Sequence, residues 1–168
     1  MADMIPTQDL RFAIVGAPNC GKTAVFNALT GSRQKVGNYA GVTVERKSGL
    51  ARTPAGRVVS IVDLPGTYSL RARSPDEEVT RDVVLGTHKR EPAPDLLLVV
   101  ADATSARSGL RLVMELRKVG RPMILILNMI DIARHRGIEI DLDKLSASLG
   151  IPVVAATAVR RGGMDDLW

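Results

Sequence analysis

The sequence predicts an α/β fold, a mostly parallel six-stranded sheet with one antiparallel edge strand and helices on both faces. Short apolar runs alternate along the chain with segments of helical period, the order expected of a doubly wound sheet. Hydrophobic residues make up 45% of the chain but aromatics only 3%, so the core must be built from Val, Ile, Leu, Ala and Met, as suits a parallel sheet covered by helices. A glycine loop stands where the first strand hands over to the first helix, the end of the sheet at which such folds bind ligands.

The elements follow in order. Residues Met1 to Asp9 lack the basic start and apolar core of a secretion signal and are expected to be a short flexible lead to a single domain over 10–168. Strand Leu10 to Val15 leads through the loop into helix Lys22 to Leu29, which Thr30-Gly31 ends with a glycine stop. The stretch Ser32 to Val42 is polar, has little apolar pattern and is expected to be mobile. Val44 to Arg52 and Val58 to Asp63 read as strands joined by the turn Thr53-Pro54-Ala55-Gly56, hence antiparallel. Helix Pro75 to Leu85 is signed by Ser74 as N-cap, Pro75 in first position and three acids in the first turn. Strand Asp95 to Ala101, helix Ser105 to Val119, strand Met123 to Asn128, helix Leu142 to Leu149 and strand Val153 to Ala156 complete the series, with Met164 to Leu167 opening what reads as a truncated last helix.

Composition narrows the function. The net charge of +5 comes from 23 basic against 18 acidic residues. The basic residues form only short clusters, such as Arg134-His135-Arg136 and Arg160-Arg161, so solvated faces or attraction to phosphate fit better than a dedicated nucleic-acid groove. Cys20 is the only cysteine, which excludes an internal disulfide and points to a cytosolic setting. The longest apolar runs, Leu96 to Ala101 and Met123 to Leu127, fall far short of the roughly 18 residues a membrane span needs.

The strongest signal is Gly16-Ala17-Pro18-Asn19-Cys20-Gly21-Lys22-Thr23, a full match to the phosphate-binding pattern G-x-x-x-x-G-K-[ST] between a strand and a helix. Gly16 and Gly21 let backbone N–H groups surround phosphate oxygens, and the helix beginning at Lys22, Thr23 and Ala24 adds its positive end. Lys22 neutralises phosphate charge, and the Thr23 hydroxyl is placed to hold Mg²⁺. Asp63-Leu64-Pro65-Gly66 ends a strand in the D-x-x-G pattern, with Asp63 a further Mg²⁺ candidate and the Gly66 N–H a γ-phosphate donor; a plain strand-to-turn junction would read the same. Thr43, at the end of the stretch expected to be mobile, is the natural second hydroxyl ligand, although any Thr before a strand would read the same. Asn128-Met129-Ile130-Asp131 resembles the base-recognition motif N-K-x-D, although a helix cap after a strand fits it as well. The Asp131 carboxylate accepts from both guanine donors and would stand unpaired against adenine, so it selects guanine. After the last strand, backbone N–H groups at Thr157 and Ala158 are placed to meet guanine O6.

These motifs have the order and spacing of small GTPases, in the three-layer phosphate-loop fold. In detail they resemble one family, the N-terminal G domain of ferrous iron transport protein B. The most specific stretches are Val36-Gly37-Asn38-Tyr39-x-Gly41-Val42-Thr43-Val44-Glu45 and Asp63-Leu64-Pro65-Gly66-Thr67-Tyr68-Ser69-Leu70, and the likeness covers nearly the whole chain. Departures are mild: Ala17 stands where Asn is frequent, and Tyr39-Ala40 where Trp-Pro is frequent. The resemblance implies binding of GTP and GDP with Mg²⁺ and a K⁺ ion held by Asn19. It also implies a parent chain with a helical regulatory domain and a membrane region conducting ferrous iron, on the cytoplasmic face of a bacterial inner membrane. Homo-oligomerisation is left open.

Thr67 occupies the position at which a Gln orients the attacking water in Ras-type enzymes, so slow intrinsic hydrolysis is expected, with K⁺ acting where an arginine finger would. The switch segments are expected at Gly31 to Thr43 and Leu64 to Glu78. Arg46, Arg71 and Arg73 read as exposed surface charges. An Era-like GTPase of the ribosome, an ATP phosphotransferase and a nucleotide sensor without turnover remain alternatives.

Overall fold

The computed structural model describes residues 9–31 and 33–168, so the expected lead lies outside it but for Asp9. Seven strands form one sheet. β1 (Arg11–Gly16), β2 (Gln34–Asn38), β3 (Glu45–Arg52), β4 (Val58–Asp63), β5 (Leu96–Asp102), β6 (Met123–Asn128) and β7 (Val153–Ala155) lie in the order β2-β3-β4-β1-β5-β6-β7. From β4 to β7 neighbours are parallel, while β3 pairs antiparallel with both β2 and β4.

The strand β2 corrects the expectation of an unpatterned mobile stretch, and it displaces β3 from the edge. Gln34 to Asn38 pair with Gly49 to Glu45, yet four of the five residues are exposed. An outer strand with solvent on both faces needs no alternation of apolar residues, and the signal used to find strands is therefore missing from it.

The interior strands alternate as the pleat requires. Ala13, Val15, Leu97, Val99 and Ala101 face one side, where α2 (Pro75–Leu85) and α3 (Ala106–Arg117) bring Val79, Val83, Leu112 and Leu116. Phe12, Ile14, Leu98 and Val100 face the other, against Val25 and Phe26 of α1 (Lys22–Thr30). The cap of α2 forms as its sequence indicates, with Ser74 accepting from the Glu77 N–H at 3.2 Å. A six-residue helix, α4 (Ile130–His135), follows β6 directly, and α5 (Leu142–Leu149) is capped by the Asp141 carboxylate. The chain ends in one 3₁₀ turn, Asp165–Leu167. The loops after β1, β4, β6 and β7 all emerge at the carboxyl end of the parallel strands, which gathers the motifs at one rim.

Candidate nucleotide site

The loop between β1 and α1 turns back on itself through two residues in the left-handed region, Asn19 at φ 65° and Gly21 at φ 91°. A Cβ at Gly21 would lie 2.1 Å from Asn128 Nδ2, and one at Gly16 would lie 2.6 Å from the Val100 carbonyl oxygen. Both glycines are thus required for the backbone to close in. Asn tolerates the left-handed conformation better than most residues, and the exposed Asn19 side chain makes no hydrogen bond to the described residues. Gly21 offers α1 no side-chain cap, and no acid lies in the first turn. The leading N–H groups and positive end of α1 therefore favour an anion.

Lys22 Nζ stands 3.4 Å from Asp63 Oδ1, with 12% and 7% of the two side chains exposed. Burial pushes the Asp63 carboxyl above the usual carboxylate range, and the attraction of Lys22 offsets this only in part. Among the described residues no three His, Cys, Asp or Glu side chains converge on a metal position. Asp63 with the hydroxyls of Thr23 and Thr43 is an all-oxygen set, which suits Mg²⁺ when phosphate oxygens complete it. Thr43 lies on the exposed turn between β2 and β3, and no hydrogen bond joins it to the other candidates among the described residues.

The D-x-x-G loop is packed directly on the phosphate loop. A Cβ at Gly66 would approach the Pro18 nitrogen and Cγ to 3.0 Å, and the Thr67 N–H donates to the Gly16 carbonyl at 2.9 Å. Thr67 is buried, and its hydroxyl donates to the Ser69 carbonyl at 2.6 Å. That hydroxyl braces its own turn, a role the sequence did not announce. Cys20 is also buried, and desolvation pushes its thiol up to about 11, so it stays protonated at neutral pH.

Asn128, buried at the end of β6, ties the site together. Its Nδ2 donates to the Cys20 carbonyl at 3.4 Å, and its Oδ1 accepts from the Ala158 N–H at 3.0 Å. The phosphate loop, the base motif and the loop after β7 are thereby one unit. The Ile130 N–H donates to the Ala156 carbonyl, and the Thr157 and Ala158 N–H groups, expected to meet guanine O6, are instead taken by the Gly163 carbonyl and by Asn128 Oδ1, each at 3.0 Å. Met129 takes φ 60°, and its Cε lies 3.5 Å from the Cβ position at Gly21, so the thioether lies beside the phosphate loop. Asp131, in the first turn of α4, pairs with Arg160 from the loop after β7, Nη2 to Oδ2 at 3.2 Å.

The reading of Arg46 as an exposed surface charge is corrected. Its Nε and Nη2 hold both carboxylate oxygens of the buried Glu91 at 2.9 and 2.8 Å, and its Nη1 donates to Ser48 Oγ. A bidentate guanidinium–carboxylate pair joins positions 45 residues apart, and no local spacing reveals it.

The family model for ferrous iron transport protein B matches residues 10–168. The Fe(2+) transporter FeoB of Escherichia coli K12 is 45% identical over 162 residues, covering 94% of this chain and 20% of that protein. The chain thus spans about one fifth of its full-length relatives. Among solved structures, the G domain of T. maritima FeoB superimposes with a TM-score of 0.83 at 40% identity, over 94% of this chain and 93% of that one. The T. maritima cytosolic domain in its GMPPNP form gives 0.87 at 40% identity, over 94% and 60%. Its GDP form gives 0.88, over 96% and 61%. Among the described residues, no helix is long and apolar enough to cross a membrane.

Proposed function

Because the chain belongs to the ferrous iron transport protein B family and has the fold of that family's G domain, we propose that it binds guanine nucleotide and hydrolyses GTP slowly, as the switch that regulates ferrous iron uptake by a larger parent chain. One observation carries the reading: Asn128 joins the phosphate loop, through the Cys20 carbonyl, to the loop that carries Ala158, three residues before the guanine-selective Asp131. A purine and its phosphates fit such a unit, with the base edge at Asp131, Met129 beside the ring and the tail at the amides before Lys22. The Era-like ribosomal reading finds no support in the family match.

Each residue then has a task. The N–H groups of Gly21, Lys22, Thr23 and Ala24 hold phosphate oxygens, and Lys22 neutralises their charge once it exchanges Asp63 for phosphate. Asp63, Thr23 and Thr43 would hold Mg²⁺, which would neutralise phosphate charge. The Gly66 N–H faces the terminal phosphate, so that loss of this group frees the segments around Thr43 and Gly66. Asn19, turned outward by its left-handed backbone, would help hold K⁺, which supplies a positive charge where negative charge develops. With Thr67 committed to Ser69, no side chain at that position orients water, and turnover is slow. The regulated partners are the helical domain and membrane region of the parent chain, at the cytoplasmic face of the inner membrane.

Titration calorimetry with GDP, GTP and ATP tests the base assignment. GDP and GTP are expected to bind and ATP to fail, while Asp131→Asn transfers preference from guanine to xanthine nucleotides. Equal binding of ATP and GTP would overturn the reading.

A further inference from the structure

Guanine presents to a carboxylate two N–H groups attached to neighbouring nitrogens that share one carbon. An arginine side chain presents the same arrangement, a planar fork of N–H donors around one carbon. In this protein the acid that reads the base already holds such a group, with Arg160 Nη2 3.2 Å from Asp131 Oδ2.

The loop that supplies Arg160 is built to keep it there. The Arg160 N–H donates to the Thr157 carbonyl at 2.9 Å, and the Arg160 carbonyl accepts from the Gly163 N–H at 3.0 Å. The Gly163 carbonyl in turn accepts from the Thr157 N–H at 3.0 Å. Gly162 at φ 73° makes the turn, and a Cβ at Gly163 would lie 1.8 Å from the Thr157 carbonyl oxygen, so the closure demands glycine. The other end of the loop is fixed by the Ala158 N–H on Asn128. The backbone of Arg160 is therefore pinned on both sides, while its side chain stays 70% exposed and free to swing away. Asp131 is the more enclosed partner, with 26% of its side chain exposed.

We infer that Arg160 is an internal competitor for the base-recognition carboxylate, a guanidinium that guanine must displace from Asp131, and that it lowers the affinity of the site for guanine nucleotide. The inference rests on the proposed role of Asp131. Its size follows from the exposure of the pair: an ion pair near the surface contributes about 1 kcal/mol or less, so the competition is worth about two- to fivefold in affinity. Being ionic and partly solvated, it weakens as salt rises. The effect is selective for the base end, because Arg160 makes no contact with Lys22, Thr23 or Asp63 among the described residues.

The experiment is stopped-flow binding of GDP carrying a fluorescent group on its ribose, to the unmutated 168-residue protein, hereafter the parent, and to Arg160→Ala, Arg160→Lys and Asp131→Asn. Arg160→Ala is expected to tighten GDP by about two- to fivefold at low salt, with the gap narrowing at high salt. Arg160→Lys, which keeps the charge without the planar fork, falls between the two. In the Asp131→Asn background, probed with xanthosine diphosphate, the Arg160→Ala effect disappears because its target is gone. Unchanged or weaker GDP binding by Arg160→Ala, with a melting temperature equal to the parent's, overturns the inference. Retention of GDP preference by Asp131→Asn overturns instead the assignment of the acid itself, so the two failures are distinguishable.

Discussion

Lys22 and Asp63 hold each other across the mouth of the phosphate loop, Nζ to Oδ1 at 3.4 Å, although the proposed function gives each a different task, Lys22 toward phosphate and Asp63 toward Mg²⁺. The contact does not compensate Asp63 for its burial, since desolvation outweighs the pull of Lys22 and leaves the carboxyl raised. The fold alone therefore disfavours the ionised form of Asp63, a cost that the proposed Mg²⁺ would offset.

A pH dependence follows with a definite sign. A carboxyl raised in the folded protein binds its proton more tightly there than in the unfolded chain. Its contribution to stability is fully present below the unfolded pKa and is lost as pH rises through the folded one. Asp63→Asn removes this dependence. Thermal melts of the ligand-free protein should therefore show the variant gaining on the parent as pH rises from 4 to 7. A difference that moves in the opposite direction would show that the fold favours the ionised form.

Much of this was legible in the sequence because the chemistry demands particular residues at short spacing. Gly16, Gly21, Lys22 and Thr23 lie within eight positions, and their loop joins a strand to a helix as read from the sequence, with the Gly21 Cβ position 2.1 Å from Asn128. The strands β1, β5 and β6 were legible as well, because burial on both faces gives each an unbroken apolar run. The edge strand β2 was not, since its residues answer to solvent on both faces. Nor were the contacts made over long sequence distance. Asn128 binding Cys20, Arg46 binding Glu91 and Arg160 binding Asp131 depend on how the loops at the sheet's rims are brought together, which no local pattern encodes.

Tyr39 shows a cost that the core accepts close to Thr43. The residue is 2% exposed, its ring lies edge-on to that of His88 with centroids 5.7 Å apart, and its backbone N–H donates to the Val44 carbonyl, so it closes the turn that carries Thr43. The hydroxyl, however, is buried with no hydrogen-bond partner among the described residues. A buried polar group without a partner costs about 1–3 kcal/mol, while the ring supplies the packing. Tyr39→Phe should therefore raise unfolding stability by about 1 kcal/mol in urea titrations, with the same denaturant slope. A loss of stability would mean that the hydroxyl is satisfied in solution.

Asn19 carries the final prediction, because its position separates a catalytic role from a structural one. The left-handed backbone at φ 65° already accounts for a residue that tolerates this conformation, and Gly tolerates it at least as well. If the side chain served only the turn, Asn19→Gly would hydrolyse GTP as the parent does. If it helps to hold K⁺ beside the phosphates, both Asn19→Gly and Asn19→Ala lose the stimulation. GTP turnover is to be measured in K⁺ and in Na⁺ at equal ionic strength, together with GDP affinity. The parent is expected to turn over faster in K⁺ by about tenfold or more, within the range that one well-placed electrostatic group supplies, whereas each variant runs at one slow rate in both salts with GDP affinity little changed. Equal rates for the parent in both salts would remove K⁺ from the reaction, and stimulation retained by Asn19→Gly would remove the asparagine from the ion's site.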